Sequence, residues 1–98
     1  MKRSYVKRGG ALFFGSEDFL EVAEVSRPAV LFRGTVRGKD LRFWLDISRG
    51  WLPILGGAAL RIDKISADNR RVDFSAKSPE HIRVRTGPAA PEPAGSTT

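Results

Sequence analysis

Short runs in which apolar and polar residues alternate occur along most of this chain and limit what it can fold into. The longest spans residues 41–48, where Leu, Phe, Leu and Ile alternate with Arg42, Trp44, Asp46 and Ser48. Similar runs are separated by turn-forming clusters such as RGKD at 37–40 and SADN at 66–69. Period-two alternation between turn signals is typical of half-buried strands, and no long helical stripe is present. The pattern predicts an all-β fold, a small antiparallel sheet or barrel.

An internal repeat is visible at a spacing of about forty residues. LEVAEVS at 20–26 and LRIDKIS at 60–66 share the spacing L-x-[V/I]-x-x-[V/I]-S. In each copy the apolar residues are two and then three positions apart, which breaks strict alternation and predicts a β-bulge in both copies. Either a duplication or the general likeness of amphipathic strands explains the match. A duplication predicts repeats at 3–44 and 45–86 within one domain, and we expect either a monomer in which the two repeats form a pseudo-dimer or a homodimer.

The two ends of the chain differ in character. Residues 1–10 are basic and predict either a first strand ending at Lys7 and Arg8 or a frayed N-terminus. Residues 87–98 contain three prolines, and their remaining apolar side chains are alanines. Such a segment buries too little surface to offset its ordering entropy, so we expect a disordered tail after a β domain spanning 1–86.

Composition favours a binding partner that carries phosphate. The 98 residues suffice for one domain, with 17 basic and 11 acidic residues and a formal net charge of +6. Nucleic acid is the first expectation and an anionic membrane surface the second. No apolar run approaches membrane-spanning length, so we expect no membrane partner. The absence of cysteine fits a reducing compartment, and we expect a cytoplasmic protein.

Catalytic and cofactor motifs are absent from the sequence. The single histidine, His81, lacks neighbours that would complete a metal site, and no phosphate-binding loop or dinucleotide fingerprint occurs. Asp63, Asp68 and Asp73 lie beside basic residues, where solvated ion pairs explain them better than acid–base chemistry. We therefore expect a protein that is not an enzyme, with no catalytic residues, no metal and no cofactor.

Basic residues lie beside aromatic residues on several of the predicted strands. Arg42 and Trp44 project from one face of the same strand, and Arg83 and Arg85 from one face of the last strand. Guanidinium groups neutralise phosphate, and exposed rings can stack on unpaired bases. The alternatives are a solvated basic surface and, for Trp51 in particular, packing in the core.

Five segments in the second half of the chain resemble a known family. They are LDISRGW at 45–51, LPILGG at 52–57, ALRIDKI at 59–65, RVDFSAKSP at 71–79 and IRVR at 82–85. In this order they resemble the carbon storage regulators, small bacterial RNA-binding regulators of translation. Ser78 stands where that family has Ala, and Thr86 stands where it usually has an arginine.

The resemblance implies a fold and a site. Carbon storage regulators are dimers of interlaced five-stranded subunits, and their RNA site lies where the first strand of one unit meets the last strand of the other. There they read GGA-containing loops of messenger RNA. Carried over by motif, the first-strand residues are Lys7 and Arg8 in unit one and Ser48 and Arg49 in unit two. The turn and last-strand residues are Lys77, Ser78, Pro79, Val84 and Arg85. Together with Arg42, Trp44 and Arg83, these are the candidate RNA-binding residues, and RNA is the expected partner.

Two other functions remain open at this point. RGTVR at 33–37 and DISRG at 46–50 resemble the two motifs of PilZ domains, which bind cyclic di-GMP. The motifs lie closer together than in that family, and the glycine spacing differs by one. The third alternative is a protein-interaction module whose basic face only keeps the chain in solution.

Overall fold

The computed structural model describes residues 2–15, 17–54, 57–79 and 84–88. These residues form nine strands and one short 3₁₀ turn, which confirms the all-β prediction. Within these ranges, no helix has the length and apolar character needed to span a membrane. The elements are β1 (Lys2–Lys7), β2 (Gly10–Phe14), β3 (Asp18–Ser26), β4 (Ala29–Val36), β5 (Lys39–Asp46), the 3₁₀ turn (Ile47–Arg49), β6 (Leu52–Ile54), β7 (Ala58–Ile65), β8 (Arg71–Lys77) and β9 (Val84–Pro88).

The strands form two antiparallel sheets that share one hydrophobic core. The four-stranded sheet has the order β1-β8-β7-β6, and the five-stranded sheet has the order β5-β4-β3-β2-β9. Apolar residues from the inner face of each sheet make up the core, with Phe32 and Phe74 fully buried at equivalent places in the two sheets. The alternation in the sequence therefore divides each strand into a core-facing and an outward-facing set.

Both predicted β-bulges are present. The pairing of β3 with β4 shifts register between Val22 and Glu24, and the pairing of β7 with β8 shifts between Ile62 and Lys64. The two bulges lie forty residues apart, as the repeated spacing predicted. Each extra residue keeps the apolar positions on both sides of it directed into the core.

Each sheet includes a strand from the other half of the chain, since β1 pairs with β8 and β9 pairs with β2. β5 holds the place beside β4 that β1 holds beside β8, with Leu45 opposite Val30 and Val6 opposite Val72. The ladder is extended in the same way in both sheets, since the Arg8 amide donates to the Arg70 carbonyl at 2.9 Å and the Ile47 amide to the Pro28 carbonyl at 2.8 Å. The halves are therefore interlaced within one chain.

Two strand ends differ from the sequence-based expectation. β5 ends at Asp46 rather than continuing to Ser48, because the Asp46 carboxylate accepts hydrogen bonds from the Ser48 amide and hydroxyl at 2.8 and 2.7 Å. β9 continues to Pro88, with Gly87 opposite Ala11, so the sheet includes two residues that we had assigned to the tail. Residues 82, 83 and 89–98, which complete the predicted last strand and tail, lie outside the described residues.

Candidate nucleic-acid interface

A groove lies at one corner of the molecule, between an edge strand of each sheet. β1 is an edge of the four-stranded sheet, β9 is an edge of the five-stranded sheet, and the tight turn after Lys7 carries the chain from one sheet to the other. The groove has a volume of about 410 Å³ and is lined by Tyr5, Val6, Lys7, Gly9, Gly10, Thr86, Gly87 and Pro88. It is therefore formed by the first strand of the first half and the last strand of the second.

Gly10 lies in a tightly packed place at the end of this groove. A Cβ atom at this position would lie 3.0 Å from the Lys7 carbonyl oxygen, 3.0 Å from Cγ2 of Val6 and 3.2 Å from the Gly87 carbonyl oxygen. A side chain here would therefore require these neighbours to move by a few tenths of an ångström. The absence of a side chain at Gly10 thus suits the close packing of Val6, Lys7 and Gly87.

The groove combines backbone edges with few charged side chains. Among the described strands, β1 pairs only with β8 and β9 only with β2, so each has a second edge without a strand beside it. Alternate residues of an edge strand present amide and carbonyl groups on that side. Lys7 lines the groove, and Arg8 lies in the exposed turn at its end. The site can therefore offer hydrogen-bond donors and acceptors together with a positive charge.

The candidate residues of the last strand divide between the core and the outer surface. The Val84 side chain is buried, 4% exposed, so only its backbone is available for binding. Arg85 is exposed on the outer face of the five-stranded sheet, with its guanidinium carbon 5.4 Å from the centre of the Phe13 ring. Arg83 lies outside the described residues.

A second group of candidates gathers around Trp51. Arg49 Nη1 donates to the Trp51 carbonyl oxygen at 3.0 Å, and Lys77 Nζ lies 4.3 Å from the centre of the Trp51 ring. Ser48 is held by Asp46 in the 3₁₀ turn, and Ser78 and Pro79 follow directly after β8 and are half-buried. The motif comparison placed Ser48, Arg49, Lys77, Ser78 and Pro79 with the last strand, whereas here Arg49 and Lys77 contact Trp51 and Arg85 contacts Phe13. The 3₁₀ turn after β5 and the end of β8 thus lie at Trp51, whereas Arg85 of β9 lies against Phe13, and the structure does not bring the two groups together.

Arg42 and Trp44 form a third group, away from the groove. They lie on the outer face of β5, at the opposite edge of the five-stranded sheet from β9. Four strand spacings separate the two edges, roughly 19 Å. Trp44 is 50% exposed beside Leu31, its cross-strand neighbour. The structure therefore does not bring these two residues together with Lys7 or Arg85.

The two PilZ-like motifs lie at opposite ends of the β4–β5 hairpin. Asp46 is opposite Ala29 at the start of β4, whereas Arg37 lies in the turn that follows β4. The Arg33 guanidinium is paired with Glu21 at 3.1 Å, and the Arg37 amide donates to Asp18. These motifs do not converge on one ligand site.

Several residues of the interface were not predicted from the sequence. Tyr5 is 46% exposed, and the Arg71 guanidinium carbon lies 4.1 Å from its ring centre. Arg61 lies 4.7 Å from the ring of Trp51, which is half-buried and not a core residue. Thr86, Gly87 and Pro88 line the groove. Of these residues, Tyr5 could have been predicted from the sequence, because alternation places it on one face with Arg3 and Lys7.

The carboxylates with perturbed pKa values stabilise turns. The Ser48 amide and hydroxyl lower the pKa of Asp46, and the Ser66 hydroxyl and Arg70 amide lower the pKa of Asp68. In the part of the chain that the structure describes, no group of three His, Cys, Asp or Glu side chains is placed to hold a metal ion. The perturbed carboxylates therefore belong to the scaffold.

No protein-family model, curated protein or solved structure matches this chain.

Proposed function

We propose that this protein is an RNA-binding post-transcriptional regulator that holds single-stranded or loop RNA in the groove between β1 and β9. One observation carries the proposal: the first strand of the first half lies beside the last strand of the second half. This is the place at which the resemblance to carbon storage regulators puts an RNA site. Such a regulator acts on translation in the bacterial cytoplasm.

The order of the five-stranded sheet supports the same proposal. Its strands β2 to β5 follow one another along the chain, and β9 from the second half completes the sheet beside β2. Interlaced five-stranded units are what the resemblance implies. Because one chain supplies both sides of the groove, we propose that a monomer binds RNA without a second copy.

The chemistry of the groove suits unpaired bases. Sequence-specific recognition of RNA mostly targets loops, because their bases expose hydrogen-bonding edges that a helix hides. Open backbone edges on β1 and β9 can pair with those edges, while Lys7 and Arg8 neutralise the adjoining phosphates. Arg85 precedes the groove-lining Thr86 but projects to the outer face of the five-stranded sheet, so we propose that it meets a phosphate where the RNA passes the edge of β9. The site is therefore proposed to bind RNA, not to catalyse a reaction.

A binding titration tests the proposal. The probes are an RNA hairpin with a GGA-containing loop, the same hairpin with a scrambled loop, and cyclic di-GMP, each at two salt concentrations. We expect tight binding of the first hairpin only, at one RNA per chain, with affinity that falls steeply with salt. Equal and weak binding of both hairpins would refute specific RNA recognition and favour the interaction-module alternative. Preference for cyclic di-GMP would favour the PilZ-like alternative.

Substitutions locate the site. Lys7→Ala and Arg85→Ala should each weaken binding of the GGA hairpin by about 1–3 kcal/mol, since a charge-assisted contact is lost. Lys39→Ala removes the same charge from an exposed position at the start of β5 and should leave affinity unchanged. Thermal melts of all three variants check that the fold is retained, as expected for exposed side chains. Loss of affinity in Lys39→Ala equal to that in Lys7→Ala would place binding elsewhere.

A further inference from the structure

The outer faces of the two sheets carry opposite charge balances. Residues directly opposite one another on neighbouring strands lie on the same face, so the strand pairing defines each outer face. Among the described residues, the outer face of the four-stranded sheet has two carboxylates, Asp63 and Asp73, against six cations: Arg3, Lys7, Arg61, Lys64, Arg71 and Lys77.

The outer face of the five-stranded sheet has the reverse balance over the same part of the chain. It presents the three cations Arg33, Arg42 and Arg85 and the four carboxylates Glu21, Glu24, Asp40 and Asp46. Although the sheets have matching topology, one is strongly basic and the other slightly acidic. A polyanion therefore approaches the four-stranded sheet.

Aromatic rings and cations are held together on the basic face. Arg71 lies over the Tyr5 ring and is paired with Asp73 at 2.8 Å. At the other side, Arg61 is held by Asp63 at 2.9 Å and by the Ser75 hydroxyl at 3.2 Å, next to Trp51. The hydrogen bonds fix these side chains before any ligand binds, which lowers the entropy cost of binding. Cations beside exposed rings are the elements with which proteins bind single-stranded nucleic acid.

The basic face is continuous with the groove. Tyr5 and Lys7 line the groove and also lie on this face, because β1 is the strand that the two share. From β1 to β6 the face spans three strand spacings, roughly 14 Å. An RNA strand that leaves the groove across β1 therefore meets Arg3 and Arg71 first. Beyond them it meets Trp51 with its neighbours Arg61 and Lys77.

We propose that the outer face of the four-stranded sheet binds the single-stranded RNA that flanks the loop held in the groove. The proposal rests on the proposed function, to which it adds an extended RNA path. Phosphates lie against the cations of the face, and bases stack beside Tyr5 and Trp51. The face contributes affinity for flanking RNA of any sequence, whereas the groove distinguishes one loop from another.

The test compares two RNAs: the GGA hairpin alone, and the same hairpin with a single-stranded extension. The variant Arg3→Ala/Lys77→Ala removes two exposed cations of the basic face, and Arg33→Ala/Lys39→Ala removes two exposed cations elsewhere as the matched control. For the extended RNA, we expect the first variant to lose on the order of tenfold in affinity and about 1.4 in the slope of log affinity against log salt. Affinity for the hairpin alone should not change, and the control should match wild type with both RNAs.

The outcomes separate this proposal from the proposed function. If the basic-face variant loses no more affinity for the extended RNA than the control does, or loses as much for the hairpin alone, the flanking path is refuted. Lys64→Ala/Lys77→Ala repeats the test on a second pair of exposed side chains. If wild type binds authentic and scrambled loops equally while the basic-face variant still loses affinity for extended RNA, the groove proposal fails and the face remains. Absence of any RNA binding overturns both.

Discussion

Each sheet includes a strand from the other half of the chain, because β1 pairs with β8 and β9 pairs with β2, so we expect the two halves to unfold together. Val30 in β4 and Val72 in β8 are fully buried, and they lie opposite Leu45 of β5 and Val6 of β1 respectively. Replacing either with alanine removes two methyl groups, worth about 1.6 kcal/mol in transfer free energy, and leaves a small cavity. We expect each variant to lose about 2–3 kcal/mol, less than the total stability of about 5–15 kcal/mol typical of a domain.

The two tryptophans report on the two sheets separately. Trp44 lies on the five-stranded sheet, and Trp51 contacts Arg61 and Lys77 of the four-stranded sheet. In the variant Trp44→Phe, Trp51 is the single fluorescent probe, and in the variant Trp51→Phe, Trp44 is the single probe. Fluorescence is followed during urea unfolding with Val30→Ala or Val72→Ala in each background. Each valine substitution should lower the midpoint by on the order of 1 M at both probes, because neither sheet is complete without a strand from the other half.

Different midpoints at the two probes would contradict this reasoning. If Val30→Ala shifted only the Trp44 transition, the five-stranded sheet would unfold without the four-stranded sheet, and β1 and β9 would not couple them. The parent single-tryptophan proteins give the reference midpoints. Far-UV circular dichroism gives a third measurement that should coincide with both.

Three further predictions concern local features of the scaffold. Gly34→Ala should lower the free energy of unfolding in urea by about 3 kcal/mol or more, because its Cβ would overlap the Phe19 carbonyl oxygen. The control Gly38→Ala has no atom within 4 Å of its Cβ, and its φ of +78° should cost only about 1 kcal/mol. A chain ending at residue 85 should have a free energy of unfolding about 2 kcal/mol lower than one ending at Pro88, since the missing residues pair with β2. Thermal melts compare the two, and equal melting temperatures would show that these pairs contribute nothing. Because the folded state lowers the pKa of Asp46, this carboxylate stabilises the fold at pH values above its ordinary pKa of 3.8. That stabilisation is lost as the pH falls through the lower pKa of the folded state. The variant Asp46→Asn should therefore show a smaller loss of stability at acid pH than wild type, which urea unfolding at several pH values measures.

Most of the strands could be predicted because their signals are local. Alternation and turn clusters act within a few residues, and the two-then-three apolar step at residues 20–25 and 60–65 was enough to place both bulges. The end of β5 was harder, since alternation continues through Ile47 while the chain already turns. There the carboxylate of Asp46 bonds to the Ser48 amide and overrides the hydrophobic pattern.

The candidate site was only partly predictable, because a strand pattern does not say which sheet a strand joins. Alternation places Arg42 and Trp44 on one face, but their distance from Arg85 depends on the order of all five strands. The residues of β9 near its end were hidden for another reason. Gly87 and Pro88 resemble a linker in composition, yet an edge strand accepts both, because its outer side needs no ladder hydrogen bonds.

The position of β5 explains why the described strands form this groove at one corner and not at two. A complete pair of five-stranded sheets needs ten strands, and the described chain has nine, because β5 follows β4 as the last strand of the first half and also serves as the first strand of the second. β5 lies beside β4, so no strand of the first half is left to pair with the open side of β6. Pro53 lies exposed in β6 and removes an amide donor from that strand, which makes its edge a poor site for adding another. Among the described strands, a groove between a first and a last strand therefore forms at β1 and β9 but not at the equivalent corner. The groove adjoins β1, the edge strand of the four-stranded sheet, and among the described residues that sheet is the one with the basic outer face.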